Sequence, residues 1–346
     1  MLQSVPSKVD DLEVLYESNF FLVDKGQQHV RIDKWLQTRI EGITRNKIQQ
    51  NIEAGFLTVN GKKVKSNYKI KPSDEIILLS LYNQEHSEIK LEKIDLNIEF
   101  EDDYLMIINK PANMVVHPGV GNHSGTLLNG IAYYLNAQNP NLTDENLPRF
   151  GLVHRIDKNT TGLLVVAKTA NSASNLAKQF FNHSIKRKYI ALVWGNVENN
   201  TGTIKTNIAR HKNFRKLFDN YPFEGDIGKH AITHYTVLER FNYTTLIECE
   251  LETGRTHQIR VHLKHIGHTL FNDIEYGGDK ILKGTIYNKY KQFVNNCFEL
   301  CNRCALHAIS LGFVHPFTNE DLFFESKLPT DMLDVIEKWR GYINFK

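Results

Sequence analysis

The chain has 346 residues, 41% of them hydrophobic, enough for about two domains with proper cores. Net charge is only +3, and four cysteines are too few for a disulfide framework, which fits a reducing cytoplasm. The longest apolar runs, LLVVA from Leu163 and YIALVW from Tyr189, fall far short of the roughly 20 residues that span a bilayer.

In chain order, the opening MLQSVPSKVDDLEV lacks a positive region followed by an apolar one, so no export signal is expected. From His29 to Ser80, ten Lys and Arg stand against five Asp and Glu, a net of +5 that leaves −2 for the rest of the chain. Positive charge gathered in a small module is an electrostatic footprint for phosphate backbones; a Lys-rich solvated face reads the same way. RIDKWLQTRI sets Ile32, Trp35, Leu36 and Ile40 at helical spacing. Thr44 is a candidate N-cap for a second helix, RNKIQQNIEAG, which Gly55 would close. FLTVNGKKVK alternates around Asn60-Gly61, a two-residue hairpin signal, and SNYKIKPSDEIILL adds a strand after Pro72. Helix, helix, hairpin and strand, with Arg45, Lys47, Lys62 and Lys63 at the turns, resemble an S-four-like RNA-binding domain at about residues 30–80. The resemblance implies one basic surface, built from the start of the second helix and the hairpin, that holds phosphates.

YNQEHSEIKLEK, residues 82–93, is polar and reads as a linker. Residues 1–92 then form an N-terminal region and 93–346 a second domain. There DYLMIINKP is a buried strand ended by Pro111, GTLLNGIAYYL a helix, and NPNLTDENLPR a loop. GLLVVAK is a strand, NSASNLAKQFFNH a helix capped by Asn171 or Ser172, and KYIALVWG another strand. AITHYTVLERF and TTLIECELET pair as a hairpin. Tight connections between neighbouring strands favour an α+β fold with a mixed, mainly antiparallel sheet over a doubly wound parallel one.

Three stretches carry dense polar chemistry: GLVHRIDKNTTGLLVVAKT (151–169), KRKYIALVWG (186–195) and LETGRTHQIRVHLKHIGHTLFND (251–273). The first places one carboxylate, Asp157, among His154, Arg155 and Lys158 at a strand entrance, where working residues are often found. The third offers Arg255, His257 and Arg260. An Arg close to a partly buried Asp keeps it ionised, as a nucleophile or base requires; a structural ion pair at a strand end is the other reading.

These blocks resemble the RluA-type pseudouridine synthases, whose signature is HRLD followed by Thr-Ser-Gly. KRKYIALVWG, LETGRTHQIRVHL, RCALHAISLGFVHPFT and EDDYLMIINKPANMVVHPGVGNHSGTLLNGI are similar to that family's other blocks, in the right order over about residues 12–330. The basic N-terminal module is typical of the branch acting on large-subunit ribosomal RNA. Ile156, Thr161 and Cys304 depart from the family's Leu, Ser and Gln without touching the expected carboxylate. The resemblance implies that Asp157 attacks the sugar of a flipped-out uridine or acts as the base forming a glycal, with Arg260 as its ion-pair partner. It also implies that Tyr189 stacks on the target base, that Arg155 enters the RNA stack, and that Lys110 supports the pocket and its RNA. The threonines and Gly162 are expected to form the tight turn that presents Asp157. No cofactor is implied, and a cytoplasmic monomer is.

RHKNFRK, residues 210–216, suits RNA contact or an ordinary solvated loop. Cys297, Cys301 and Cys304 have C-x3-C-x2-C spacing, but positions i, i+4 and i+7 of an amphipathic helix explain them as one buried face. His257, His262, His265 and His268 lack a Cys or acid that would complete a zinc site at a usual spacing. Two other functions compete: a non-catalytic RNA-binding or ribosome-assembly factor, and a glycoside hydrolase using Asp157. A binder needs no nucleophile, and a hydrolase ordinarily needs a second carboxylate. Transfer RNA is the alternative substrate.

Overall fold

The computed structural model describes residues 16–344 except 25, 41–44, 54–55, 82–88, 120, 145 and 215. At the N-terminal end, β1 (Tyr16–Leu22), α1 (Ile32–Gln37), α2 (Arg45–Glu53), β2 (Leu57–Val59), β3 (Lys62–Lys63) and β4 (Glu75–Leu81) form a small α/β unit. Its four strands run antiparallel in the order β1-β4-β2-β3. Ile32, Trp35 and Leu36 are buried as their spacing predicts, and pack with Ile48, Ile52, Leu57, Ile76 and Leu78 into a core of their own. Asn60 and Gly61 both take positive φ, 50° and 73°, the geometry that joins two right-twisted strands in a two-residue turn. β1 is an addition to the elements legible in the sequence. Thr44, Gly55 and residues 82–88 of the expected linker lie outside the described residues.

The rest of the chain builds a second sheet. Its elements are β5 (Ile98–Glu101), β6 (Leu105–Lys110), α3 (Leu127–Gln138), β7 (Thr161–Ala167), α4 (Ala170–Phe181), β8 (Lys186–Trp194), β9 (Thr201–Arg210), β10 (Phe218–Tyr221), β11 (Lys229–Arg240), β12 (Thr244–Leu251), α5 (Gln258–His265), α6 (Asn288–Leu300), β13 (Leu306–Val314), β14 (Asp321–Glu325) and α7 (Thr330–Asn344). The strand order is β10-β9-β11-β12-β8-β13-β7-β6-β5, with β14 also on β13. Every pairing among the described residues is antiparallel except β13 with β7. This is the α+β class with a mixed, mainly antiparallel sheet.

Period-two alternation explains why both faces of that sheet are covered. Along β8, Tyr189, Ala191 and Val193 enter a core with α3, α4 and α5, whereas Ile190, Leu192 and Trp194 enter a second core with α6 and α7. β8 is therefore apolar from Tyr189 to Trp194 without being a helix.

Three local expectations change. Thr169, not Asn171 or Ser172, caps α4 by accepting the Ser172 N–H at 3.1 Å. Gly162 does not make the turn after Asp157. It sits in β7 at φ 116°, where a Cβ would come within 2.2 Å of the Ala308 carbonyl oxygen on β13, so the close parallel crossing requires it. The cysteines do not share one helix face. α6 ends at Leu300, and Asn272 Nδ2 donates to the Cys301 carbonyl at 2.7 Å, taking up the chain as it leaves the helix. Cys297 and Cys301 fall in the α6–α7 core and Cys304 in the other.

Candidate active site

Asp157 lies in the turn that feeds β7, closed by the Thr160 N–H donating to the Asp157 carbonyl at 3.1 Å. Thr161 Oγ1 and the buried His307 Nδ1, 2.8 Å apart, pin the far end of that turn. His154, three residues earlier, is buried and accepts the Val165 N–H at 2.9 Å. Burial pushes this imidazole down to about 3, so it is a neutral structural acceptor. The cations expected around Asp157 thus reduce to Arg155, which is half-buried, and the exposed Lys158.

The decisive partner arrives from 103 residues away. Arg260, in the first turn of α5, donates from Nη1 to Asp157 Oδ2 at 3.2 Å. Its other edge is a fork on Asp273, Nε to Oδ2 at 2.8 Å and Nη2 to Oδ1 at 2.7 Å, and Nη2 also reaches Glu275 at 2.5 Å. The Tyr276 ring lies 4.8 Å below the guanidinium. Arg260 is only 5% exposed, so it can hold Asp157 in a single place. That placement follows from geometry: a planar fork gripped on one edge has its opposite nitrogen aimed in a fixed direction.

Burial alone would raise the Asp157 carboxyl. The charges of His257, Arg260 and Arg155, with the Arg260 hydrogen bond, outweigh it and hold the group below the ordinary carboxylate value of 3.8. Of these, Arg260 acts at every pH. His257, whose Nε2 is 4.0 Å from Asp157 Oδ2, is itself pushed down by burial and carries its charge only on acidification. Tyr276 Oη accepts the Phe218 N–H at 3.1 Å and lies 2.8 Å from His257 Nδ1. Tyr276 thus ties the Nδ1 edge of His257 to the start of β10, and the ring's Nε2 edge faces Asp157.

Tyr189 reaches the same neighbourhood through the sheet. It stands opposite Ala308 on β13, and Ala308 stands opposite Gly162 on β7, so the three lie abreast across adjacent strands. Its ring is 8% exposed. Asp157 and Arg260 are in direct contact, and Tyr189 lies level with Gly162, five residues along the chain from Asp157. Asp273 and Glu275, the other carboxylates there among the described residues, are both occupied by Arg260.

The chain matches the family model described as RNA pseudouridylate synthase over residues 104–265, and the S4 domain over residues 30–76. A protein of Chlorobaculum parvum named as an uncharacterized RNA pseudouridine synthase is 47% identical over 319 residues, covering 92% of this chain and 96% of its own. The ribosomal large subunit pseudouridine synthase D of Nitrosomonas europaea is 39% identical over 90% of this chain and 85% of its own. The chain belongs to the RluA-type RNA pseudouridine synthases. A solved human structure, RNA Pseudouridylate Synthase Domain Containing 4, shares the fold at TM-score 0.54 and 23% identity, covering 70% of this chain and 93% of that one. The enzyme is an isomerase acting on uridine within RNA, and its N-terminal S4 domain is an RNA-binding module.

Within this synthase the residues expected to touch RNA are spread unevenly. Lys62 and Lys63 are exposed on β3. Lys47 lies on α2, and its side chain is outside the described set. Arg45 is tied to the buried Asp33 at 2.9 Å, beside Arg31 and Gln49, so part of its charge serves the fold of the module. Lys110 is a correction. Its side chain is 0% exposed and its ammonium donates to the carbonyls of Pro111, Met114 and Lys158 at 2.7, 3.0 and 3.0 Å, which leaves no donor for RNA. Burial lowers it to about 7, against the Asp157 charge and three acceptors that the charged form alone can satisfy together. Arg210 lies over the Phe218 ring and Phe214 is exposed, so the RHKNFRK loop emerges beside the His257–Tyr276 edge of the site.

Asp273, Tyr276 and Arg303 were not singled out from sequence. Asp273 ends the 251–273 stretch and Arg303 opens RCALHAISLGFVHPFT, yet nothing beside either in the chain shows which group it grips; Tyr276 carries no local signal.

Proposed function

We propose that this enzyme converts uridines of large-subunit ribosomal RNA to pseudouridine with Asp157 as its reacting carboxylate. The observation that carries the reading is the Arg260–Asp157 contact at 3.2 Å, with the guanidinium fixed on its other edge by Asp273. An ionised carboxylate beside a sugar either attacks C1′ as the N1 bond breaks or removes a C2′ proton to give a glycal, and both routes release uracil for rotation and rejoining through C5. Uracil must leave the stack first, because a stacked base hides its glycosidic bond. Arg155, half-exposed two residues from Asp157, suits the space that base vacates, and Tyr189 suits stacking on the extruded ring. No redox or group transfer occurs, so these residues need no cofactor. The monomer and the cytoplasmic location implied by the family likeness belong to the same reading; among the described residues no helix is long and apolar enough to cross a membrane.

Two relatives named for the large ribosomal subunit, and the basic S4 module, favour ribosomal over transfer RNA. Mapping pseudouridines in total RNA from cells with and without the gene is expected to show positions lost from large-subunit RNA. Loss confined to transfer RNA would overturn the substrate, and no loss in either would overturn the reading.

Residues 1–92 are read as the unit that supplies affinity and 93–346 as the unit that supplies chemistry. Deleting 1–92 is expected to weaken RNA binding and flatten its salt dependence by about 0.7–0.9 in log–log slope for each phosphate no longer neutralised, while turnover persists at high RNA concentration. An unchanged slope in the truncated protein contradicts this division.

A further inference from the structure

The two carbonyls that follow Asp157 both end on buried cations. Lys158 O receives Lys110 Nζ at 3.0 Å, and Asn159 O receives Arg303 Nη1 at 3.1 Å. Arg303 lies between α6 and β13 and is 2% exposed. The same Nη1 also meets the Cys304 and Leu306 carbonyls, at 3.1 and 3.0 Å, at the start of β13. Its remaining edge is a fork on Asp331 in the first turn of α7, Nε to Oδ2 at 2.7 Å and Nη2 to Oδ1 at 3.0 Å.

We propose that Arg303, held by Asp331, is a positioning residue for Asp157, so that the first turn of α7 forms part of the support of the catalytic turn. The idea rests on Asp157 being the reacting carboxylate. With Lys158 O and Asn159 O both anchored inward, the peptide planes after Asp157 cannot rotate, and the Cα–Cβ direction of Asp157 is fixed from below. Arg260 then fixes the carboxylate from the other side. Positioning of this kind acts on rate, since a displacement of about 1 Å at a reacting group costs on the order of a hundredfold. Asp331 is needed because a buried guanidinium without a counter-charge is driven toward water, which would pull it off Asn159. A lysine at 303 reaches either the carbonyls or Asp331, not both, because its single nitrogen lacks the planar fork. Attachment of α7 does not account for the contact, because its far end is already held by Arg340, which forks onto Glu239 at 2.6–3.0 Å.

The test uses the full chain and an RNA stem-loop that the wild type modifies. It compares Arg303→Lys, Asp331→Asn and Arg340→Met for kcat, KM, RNA Kd and Tm, with kcat read well below every melting point. Arg303→Lys is expected to lower kcat by roughly 10- to 100-fold with KM and Kd within about twofold. Asp331→Asn, which keeps the side-chain oxygen that accepts the Met332 N–H of α7, is expected to move kcat in the same direction by less. Arg340→Met is expected to lower Tm and leave kcat unchanged. Wild-type kcat in Arg303→Lys, or an equal kcat loss in Arg340→Met, would reduce the contact to fold stability and overturn the proposal. Should Arg303→Lys fail to fold, Asp331→Asn decides alone: a wild-type kcat there overturns it. Asp157→Asn assayed in parallel separates this failure from the other, because residual turnover in that variant removes the reading beneath it.

Discussion

Asp157→Asn is expected to abolish pseudouridine formation while leaving RNA binding in place. The amide keeps the shape of the carboxylate and still accepts from Arg260 Nη1, so Arg260 stays on its fork with Asp273. What disappears is the negative charge, and with it the nucleophile or base that either route requires. Loss of such a group costs on the order of 10⁴-fold or more in turnover. Tritium release from a labelled stem-loop reads turnover, and binding is measured on the same RNA. Turnover at even a few per cent of wild type would show that the chemistry lies elsewhere. In the wild type, the cations that hold Asp157 below 3.8 also set its pH dependence. A depressed carboxyl is ionised above its lowered value, so its contribution to rate and to stability is fully present above 3.8 and is lost as pH falls through the folded value. Between about pH 5 and 8 this group therefore imposes no slope.

Arg260→Met is expected to be the most destabilising single change at the site as well as inactive. Asp273 is 1% exposed and takes both of its fork contacts from Arg260, and Asp157 and Glu275 lose the same partner. Removing one member of a buried pair leaves an uncompensated charge, at a cost of roughly 3–5 kcal/mol. Urea denaturation measures it, and Arg260→Lys is the informative companion. Lysine restores charge beside Asp273 but cannot fork onto it and reach Asp157 together, so stability should recover more than kcat does. Unfolding of Arg260→Met at the wild-type midpoint would mean that the three carboxylates find other partners or water.

Much of this molecule was open to reading along the chain. The period-3.6 spacing of Ile32, Trp35 and Leu36, the Asn60-Gly61 turn and the strand Leu105–Lys110 are local patterns, and local sterics and burial decide them. The signature around Asp157 is equally local: one acid at a strand entrance, flanked by cations. Where the structure departs from a local rule, a long-range contact overrides it. Gly162 looks like a turn glycine until β13 is laid against β7, when the Ala308 carbonyl excludes a Cβ there. Cys304 continues a helical spacing until Asn272 takes the Cys301 carbonyl and the helix ends. Lys110 reads as a cation near the Asp157 block by sequence, yet two carbonyls flanking the turn that follows it and a third, of Lys158, enclose it. The sequence by itself determined the fold class and the basic S4 module and marked Asp157 as the candidate carboxylate, because each is written in neighbouring residues. The tertiary structure alone decided which charges meet that carboxylate and what fixes them. Asp273, Tyr276, Arg303 and Asp331 act through hydrogen bonds whose partners are separated in the chain, and distance along a sequence does not encode direction in space.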